Sequence, residues 1–271
     1  MFNILNILIL GCGYTGQRVA KHFLELNHHV MATTRDPSKL AHIKGLEIVR
    51  LPAPIPQATL VLHSIPPAGG AGILDALGDA DALGDAPARM VYLSSTAVYG
   101  AAFGTQTFEP QTTTVNEHTP PNPDTEKAHA RFAAERDVLK HYPSALILRP
   151  AAIYGPGRGV QESVKTGSYT MGDNVVSRIH VDDLAAICQA ALLSNPTGAY
   201  PVADDDPCTT REIGEFCLKL LGLKMIETTA AARVTSNRRV DGSAICRLLG
   251  VTLKYPSYKV GVPASLTKDR V

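Results

Sequence analysis

Apolar positions follow two different periods through the first 150 residues. Short continuous apolar runs lie near Ile4–Leu10, His29–Thr33, Leu46–Arg50, Thr59–Ser64, Met90–Ser94 and Ala145–Leu148. Runs that are short and rich in Ile, Leu and Val predict strands covered on both faces. Between them, Thr15–Leu26, Pro37–His42, Ile73–Leu83 and Thr125–His141 carry helical spacing. Strands alternating with helices predict an α/β fold, a doubly wound parallel sheet with its binding crevice at the carboxyl ends of the strands. Pro52, Pro54 and Pro56 stiffen the connection after the third run. The stretch Asp-Ala-Leu-Gly-Asp-Ala occurs at Asp75–Ala80 and again at Asp81–Ala86, a local duplication expected on a surface helix. Thr105–Pro123 is polar and is expected to loop over the strand ends. Beyond Pro150 the pattern loosens. Helices are expected at Val181–Leu193 and Thr209–Leu221, and a short strand at Ala199–Val202. Residues 1–150 should form one domain, and 151–271 a small lobe interleaved with it.

Composition narrows the class. The 271 residues are 45% hydrophobic and 19% charged, with a net charge of +1. That balance fits a soluble globular chain and excludes nucleic acid and membrane surfaces as expected partners. The five cysteines (Cys12, Cys188, Cys208, Cys217, Cys246) form no C-x-x-C pair. Reduced thiols and a cytoplasmic location are expected. The N-terminal apolar run lacks a basic flank and is expected as a buried strand, not a signal peptide. Asp204-Asp205-Asp206 has no accompanying ligand pattern, so a turn is expected there and no metal site.

The first run leads into Gly11-Cys12-Gly13-Tyr14-Thr15-Gly16 and then a helix, which is G-x-G-x-x-G in its strand-turn-helix context. Gly11 permits the turn, Gly13 lets a pyrophosphate approach the backbone, and Gly16 lets helix and strand pack closely. The helix N-terminus offers N–H groups to the phosphates, so Gly11, Gly13, Tyr14, Thr15 and Gly16 are candidate cofactor contacts. A Rossmann-type sheet with a small C-terminal substrate lobe follows. The second strand ends in Thr33-Thr34-Arg35-Asp36. An acid there binds a ribose 2′-hydroxyl, whereas an Arg accommodates a 2′-phosphate. Arg35, about 20 residues past the glycines, points to NADP over NAD, with Thr34 leaving room for the phosphate. Asp36 precedes Pro37 and is expected to cap the next helix. Arg35 as a solvated loop residue is the alternative. Cys12 is either a thiol activated by the helix terminus or a small filler.

Later segments carry a resemblance. Val91-Tyr92-Leu93-Ser94-Ser95-Thr96-Ala97-Val98-Tyr99-Gly100, Arg149-Pro150-Ala151-Ala152-Ile153-Tyr154-Gly155-Pro156-Gly157, Arg178-Ile179-His180-Val181-Asp182-Asp183-Leu184-Ala185 and Tyr200-Pro201-Val202-Ala203-Asp204-Asp205 resemble, in order, segments of the extended short-chain dehydrogenases/reductases. That family comprises NAD(P)-dependent epimerases, dehydratases and reductases. The resemblance implies cofactor contacts at Ser64, Ile65, Pro66, Ser94, Pro150 and Ile153. It implies substrate contacts at Thr96, Tyr154, Arg158 and Arg178. The chain departs from the family where a Tyr-x-x-x-Lys pair supplies the acid/base. Here the Tyr position falls on Lys127 and the Lys position on Arg131, and no Tyr lies between Gly100 and His141. The chain therefore resembles an atypical branch that has lost the Tyr. The segment from Tyr154 to His180 is also shorter than in related nucleotide-sugar enzymes, and Val176 stands where they place a phosphate-binding Arg.

The remaining candidates for chemistry are Ser95, Lys127 and Arg131. Lys127 and Arg131 share a helix face. Arg131 can hold ribose hydroxyls as the family Lys does, but stays protonated. Lys127 serves as acid/base only with a pKa well below about 10.4; otherwise it is a solvated lysine. Ser95 either hydrogen-bonds a substrate oxygen or satisfies backbone nearby. Arg158 is an anion contact at the site mouth or a solvated loop residue. His63 is expected to pack in its strand, with His129 a weaker acid/base candidate. Asp182 and Asp183 suit a helix start. Two readings follow. One is an NADP-dependent oxidoreductase or epimerase-like enzyme acting on a small carbonyl, alcohol or sugar-type substrate, with room for a homodimer. The other is a catalytically silent NADP(H)-binding sensor or scaffold, a decayed structural subunit being its weaker variant.

Overall fold

The computed structural model describes residues 4–50, 59–69, 88–100, 112–224 and 237–268. The expected helix at 73–83, the proline run at 52–56, the duplication at 75–86 and part of the 105–123 loop lie outside these residues. Seven parallel strands form the main sheet: β1 (Asn6–Leu10), β2 (His29–Thr33), β3 (Glu47–Ile48), β4 (Leu60–His63), β5 (Arg89–Leu93), β7 (Leu146–Pro150) and β11 (Gly198–Val202). Their spatial order is β11-β7-β5-β4-β1-β2-β3. The order runs one way from β1 to β3 and the other way from β4 onwards, so β1 and β4 flank the topological switch point.

Alternate residues of β1 feed two cores, as the pleat requires. Ile7 and Ile9 pack with Val19, Ala20 and Phe23 of α1 (Gly16–Glu25) and with Leu184, Ile187 and Cys188 of α4 (Val181–Leu192). Leu8 and Leu10 join Met31, Val61, Tyr92 and Ile147 under Val138 of α2 (Glu126–His141). Both faces are covered, which is why the strands lack polar alternation.

Three expected elements change. The third strand shrinks to the exposed edge pair Glu47–Ile48. The expected Pro37–His42 helix is a single 3-10 turn, Pro37–Leu40. The region after 150 is richer than its sequence suggests. It holds β8 (Ala152–Tyr154) paired with β10 (Arg178–His180), α3 (Val160–Lys165), α5 (Thr210–Leu221), α6 (Ser243–Leu249) and α7 (Tyr258–Lys268). A small sheet orders β12 (Cys208–Thr209), β9 (Val175–Val176), β13 (Arg238–Val240) and β6 (Thr113–Val115). β6 thus leaves the front half for the small sheet, while β11 and α4 return from the back half to the main one.

Candidate active site

The glycine turn sits at the switch point and is fastened from both sides. Gly11 N–H donates to Thr33 Oγ1 at 3.0 Å, and Cys12 N–H to the Thr33 carbonyl at 3.1 Å. The Ser64 hydroxyl donates to the Gly11 carbonyl at 2.6 Å. Gly11 has φ +81°, and a Cβ there would lie 2.7 Å from Ile65 Cγ1. Glycine is needed at 11 on both counts. A Cβ at Gly16 would lie 3.0 Å from Ile9 Cγ2, so close helix-strand packing is real. A Cβ at Gly13 would meet nothing within 4 Å. Thr15, the N-cap of α1, makes no side-chain capping bond, and the first turn holds no acidic residue. Open space before an uncapped, positive helix end fits a pyrophosphate. The Cys12 thiol is buried, which pushes it up to about 12. It is a filler, and the activated reading falls. Thr33, absent from the sequence-derived candidates, was findable as a hydroxyl residue ending the strand beside the turn.

At the end of β2, Asp36 accepts from Ser38 N–H at 3.2 Å and from the Ser38 hydroxyl at 2.5 Å. It caps the 3-10 turn as expected, and the Ser38 hydroxyl holds its carboxyl below the usual carboxylate range. The Thr34 hydroxyl bonds the Asp36 backbone, and Arg35 is exposed.

The carboxyl ends of β4 and β5 meet α2. Arg131 turns inward, donating to Tyr92 Oη at 3.2 Å and to the Leu93 carbonyl at 3.4 Å. His63 packs against Tyr92, with ring centroids 4.9 Å apart, and its Nδ1 accepts from Ile65 N–H. Burial, helped by the Arg131 charge, pushes the His63 imidazole down to about 4. It is a packed neutral strand residue. Ser95 is half-buried, and its hydroxyl accepts from Ala97 N–H at 3.1 Å, capping the turn Thr96–Tyr99. Thr96 is buried in that turn, and Pro66 is exposed beyond β4. Lys127 and His129 lie exposed on the first turns of α2, so only Arg131 of that group reaches the strand ends.

The Ser94 hydroxyl is engaged inside the fold. Its hydroxyl donates to Glu135 Oε1, which also accepts from Arg149 Nε at 3.0 Å. Arg149 Nη2 meets Glu135 Oε2 at 2.7 Å, and Nη1 donates to Tyr99 Oη at 3.2 Å. Every member is buried. The network bolts α2 to β5 and β7 one helical turn beyond Arg131.

After Pro150, two of the expected substrate contacts lie in the interior. Pro150 ends β7 buried, and Ile153 is half-buried. Tyr154 is only 3% exposed and packs with Val164, Ile213, Tyr258 and Val262; burial pushes its phenol up. Arg178 is only 4% exposed and donates to the Val176 carbonyl and to Cys208 Sγ. Residues of α5 and α7 close over Tyr154. His180, not an aspartate, caps α4: its Nδ1 accepts from Asp182 N–H. Asp182 pairs with Arg18 at 2.9 Å. Asp183 is buried and accepts from Lys254 and Tyr255 N–H at 2.8 and 2.9 Å, tying the C-terminal segment to the sheet layer. Arg158 is exposed above the Tyr14 ring. Among the described residues no group of three or more His, Cys, Asp or Glu is placed to hold a metal ion, and no helix is long and apolar enough to cross a membrane.

Residues 69–203 match the model of the NAD dependent epimerase/dehydratase family. Protein YeeZ from Escherichia coli strain K12 is 30% identical over 172 residues, which cover 62% of this chain and 59% of YeeZ. The structure of a functionally unknown conserved protein from Silicibacter pomeroyi DSS is 30% identical, with TM-score 0.80 over 97% of this chain and 98% of the other. The enzyme WbmG from Bordetella bronchiseptica, in complex with NAD, shares the fold at 19% identity, with TM-score 0.76 over 99% of this chain and 95% of WbmG. The glycine turn, the strand order and these likenesses agree: the chain belongs to the NAD dependent epimerase/dehydratase family.

Proposed function

We propose that the protein is an NADP(H)-dependent oxidoreductase or epimerase-like enzyme acting on a small carbonyl, alcohol or sugar-type substrate. The observation that carries this reading is Arg131, whose guanidinium reaches the carboxyl end of β5, 3.4 Å from the Leu93 carbonyl and two residues before Ser95. When bound, a nicotinamide would supply or take up hydride. The chain's own residues do the rest. The N-terminus of α1 receives the pyrophosphate, and Ile65, beside Gly11, bounds the crevice. Arg131 holds ribose hydroxyls as a fixed cation and, staying protonated, transfers no proton. The Ser95 hydroxyl is half-buried and accepts from Ala97 N–H, which leaves its own proton to orient a substrate oxygen. Lys127 occupies the family's tyrosine position but lies exposed, so it takes part in proton transfer only if its side chain swings to the strand ends when substrate binds. Arg35 supports NADP over NAD: it is exposed beside the ribose end of β2, while the neighbouring Asp36 carboxylate is taken up by Ser38.

The absence of a tyrosine from α2, with Lys127 exposed, favours a second reading, a sensor that binds NADP(H) without turnover. Stopped-flow oxidation of NADPH against a panel of aldehydes, ketones and keto-sugars separates the two. The enzyme reading predicts turnover that drops roughly 10- to 1,000-fold in Ser95→Ala, the scale of one lost transition-state hydrogen bond. Full activity in that variant removes Ser95 from the mechanism. Tight NADPH binding with no oxidation across the panel selects the sensor.

A further inference from the structure

Tyr14 stands in the middle of the glycine turn, yet its phenol leaves that turn. It donates to the Pro156 carbonyl at 2.9 Å, across to the loop that follows β8. The receiving loop is tight. Gly155 N–H donates to the Arg158 carbonyl at 2.8 Å, and Arg158 N–H returns to the Gly155 carbonyl at 3.0 Å. A Cβ at Gly155 would lie 2.6 Å from Tyr14 Oη, so the backbone approaches the phenol as only glycine allows.

Two arginines attend the Tyr14 ring, Arg18 at 4.3 Å and Arg158 at 5.3 Å from the centroid. Their charges are balanced differently. Arg18 pairs with Asp182 at 2.9 Å and donates to the Tyr14 carbonyl at 2.8 Å. Arg158 is exposed, and no carboxylate of the described residues forms an ion pair with it. Among the described residues, then, no carboxylate answers the Arg158 guanidinium, which lies over the Tyr14 ring next to the N-terminal end of α1, whose first turn has no acidic residue. Like charges converging on one point are unfavourable until an anion lies among them.

We propose that Tyr14 and Arg158 form a latch over the dinucleotide pyrophosphate, and that Arg158 is the cationic contact to that diphosphate, not to the substrate. The inference rests on the dinucleotide reading above and adds to it a residue from the opposite side of the crevice. The Tyr14–Pro156 hydrogen bond ties the two sides together, so a dinucleotide enters and leaves by parting them.

The test uses the full chain. Affinities for NADPH, ADP and adenosine 2′-monophosphate are measured by calorimetry for wild type, Arg158→Ala, Arg158→Lys and Tyr14→Phe, with thermal midpoints to confirm folding. NADPH dissociation is followed by stopped-flow fluorescence. Arg158→Ala should weaken NADPH and ADP about tenfold, the share of one charged hydrogen bond. It should leave adenosine 2′-monophosphate, which lacks the pyrophosphate, unchanged, and Arg158→Lys should restore part of the loss. Tyr14→Phe keeps the ring and should speed NADPH dissociation several-fold. Unchanged NADPH and ADP affinity in a folded Arg158→Ala overturns the contact, as does an equal loss for adenosine 2′-monophosphate. An unchanged dissociation rate in Tyr14→Phe overturns the latch. Wild type that fails to bind NADPH overturns the dinucleotide reading itself, a distinguishable result.

Discussion

Asp204 buries a carboxyl group whose two oxygens make no hydrogen bond, at only 2% exposure. Burial outweighs the attraction of the nearby Arg178 guanidinium and pushes the carboxyl up to about 8. A carboxyl that holds its proton in the fold more tightly than in the open chain stabilises the fold below the unfolded value, near 4, and loses that contribution as pH rises through about 8. Stability should therefore fall between about pH 4 and pH 8, by at most about 1.4 kcal/mol per unit from this group. Asp204→Asn should flatten that slope in urea melts taken across the range; an unaltered slope contradicts the buried acid. Residue types alone do not reveal such placements. Tyr154 and Arg178 look like site residues because of the segments that carry the family resemblance, but Tyr154 packs against residues of α5 and α7, more than 50 residues further on, and Arg178 is held by Val176 and by Cys208, 30 residues further on. Thr33 was legible, since its hydroxyl stands beside the glycine turn in a pairing the strand order implies.

Among the elements, α2 shows how a charged helix is read and misread. Its limits were legible: Thr125 caps it, accepting from Ala128 N–H at 3.2 Å, and it ends at His141 as expected. Its inner face was not, because Glu135 carries the same letter as any solvated glutamate. Only the return of β7 brings Arg149 to it, at 2.7 Å. Glu135 fixes the register that sends Arg131 to the strand ends. Glu135→Ala would leave Arg149 buried without its partner and should cost about 3–5 kcal/mol. Denaturant unfolding checks this, and a loss below about 1 kcal/mol would show that the network does not hold the helix. The small sheet was illegible for a different reason. β9 and β12 have two residues each, too short for a period to register, and their partners lie far along the chain.

At the scale of the molecule, the parallel sheet was legible from its apolar runs because both faces are covered and each run carries its own signal. The interleaving was not. β6 crosses to the small sheet and β11 returns to the large one through pairings that no local pattern records. That exchange places the Gly155–Arg158 turn against the glycine turn, and so sets two sides of the chain around one crevice at the β1–β4 switch point. On the proposed reading, what the crevice selects depends most on Arg35. Parallel calorimetric titrations of wild type and Arg35→Ala with NADPH and NADH test this directly. The expected result is NADPH bound about 10- to 100-fold more tightly than NADH by wild type, the share of a charge-assisted phosphate contact, with the preference collapsing in Arg35→Ala. Equal affinities in wild type, or a preference that survives the substitution, would contradict it.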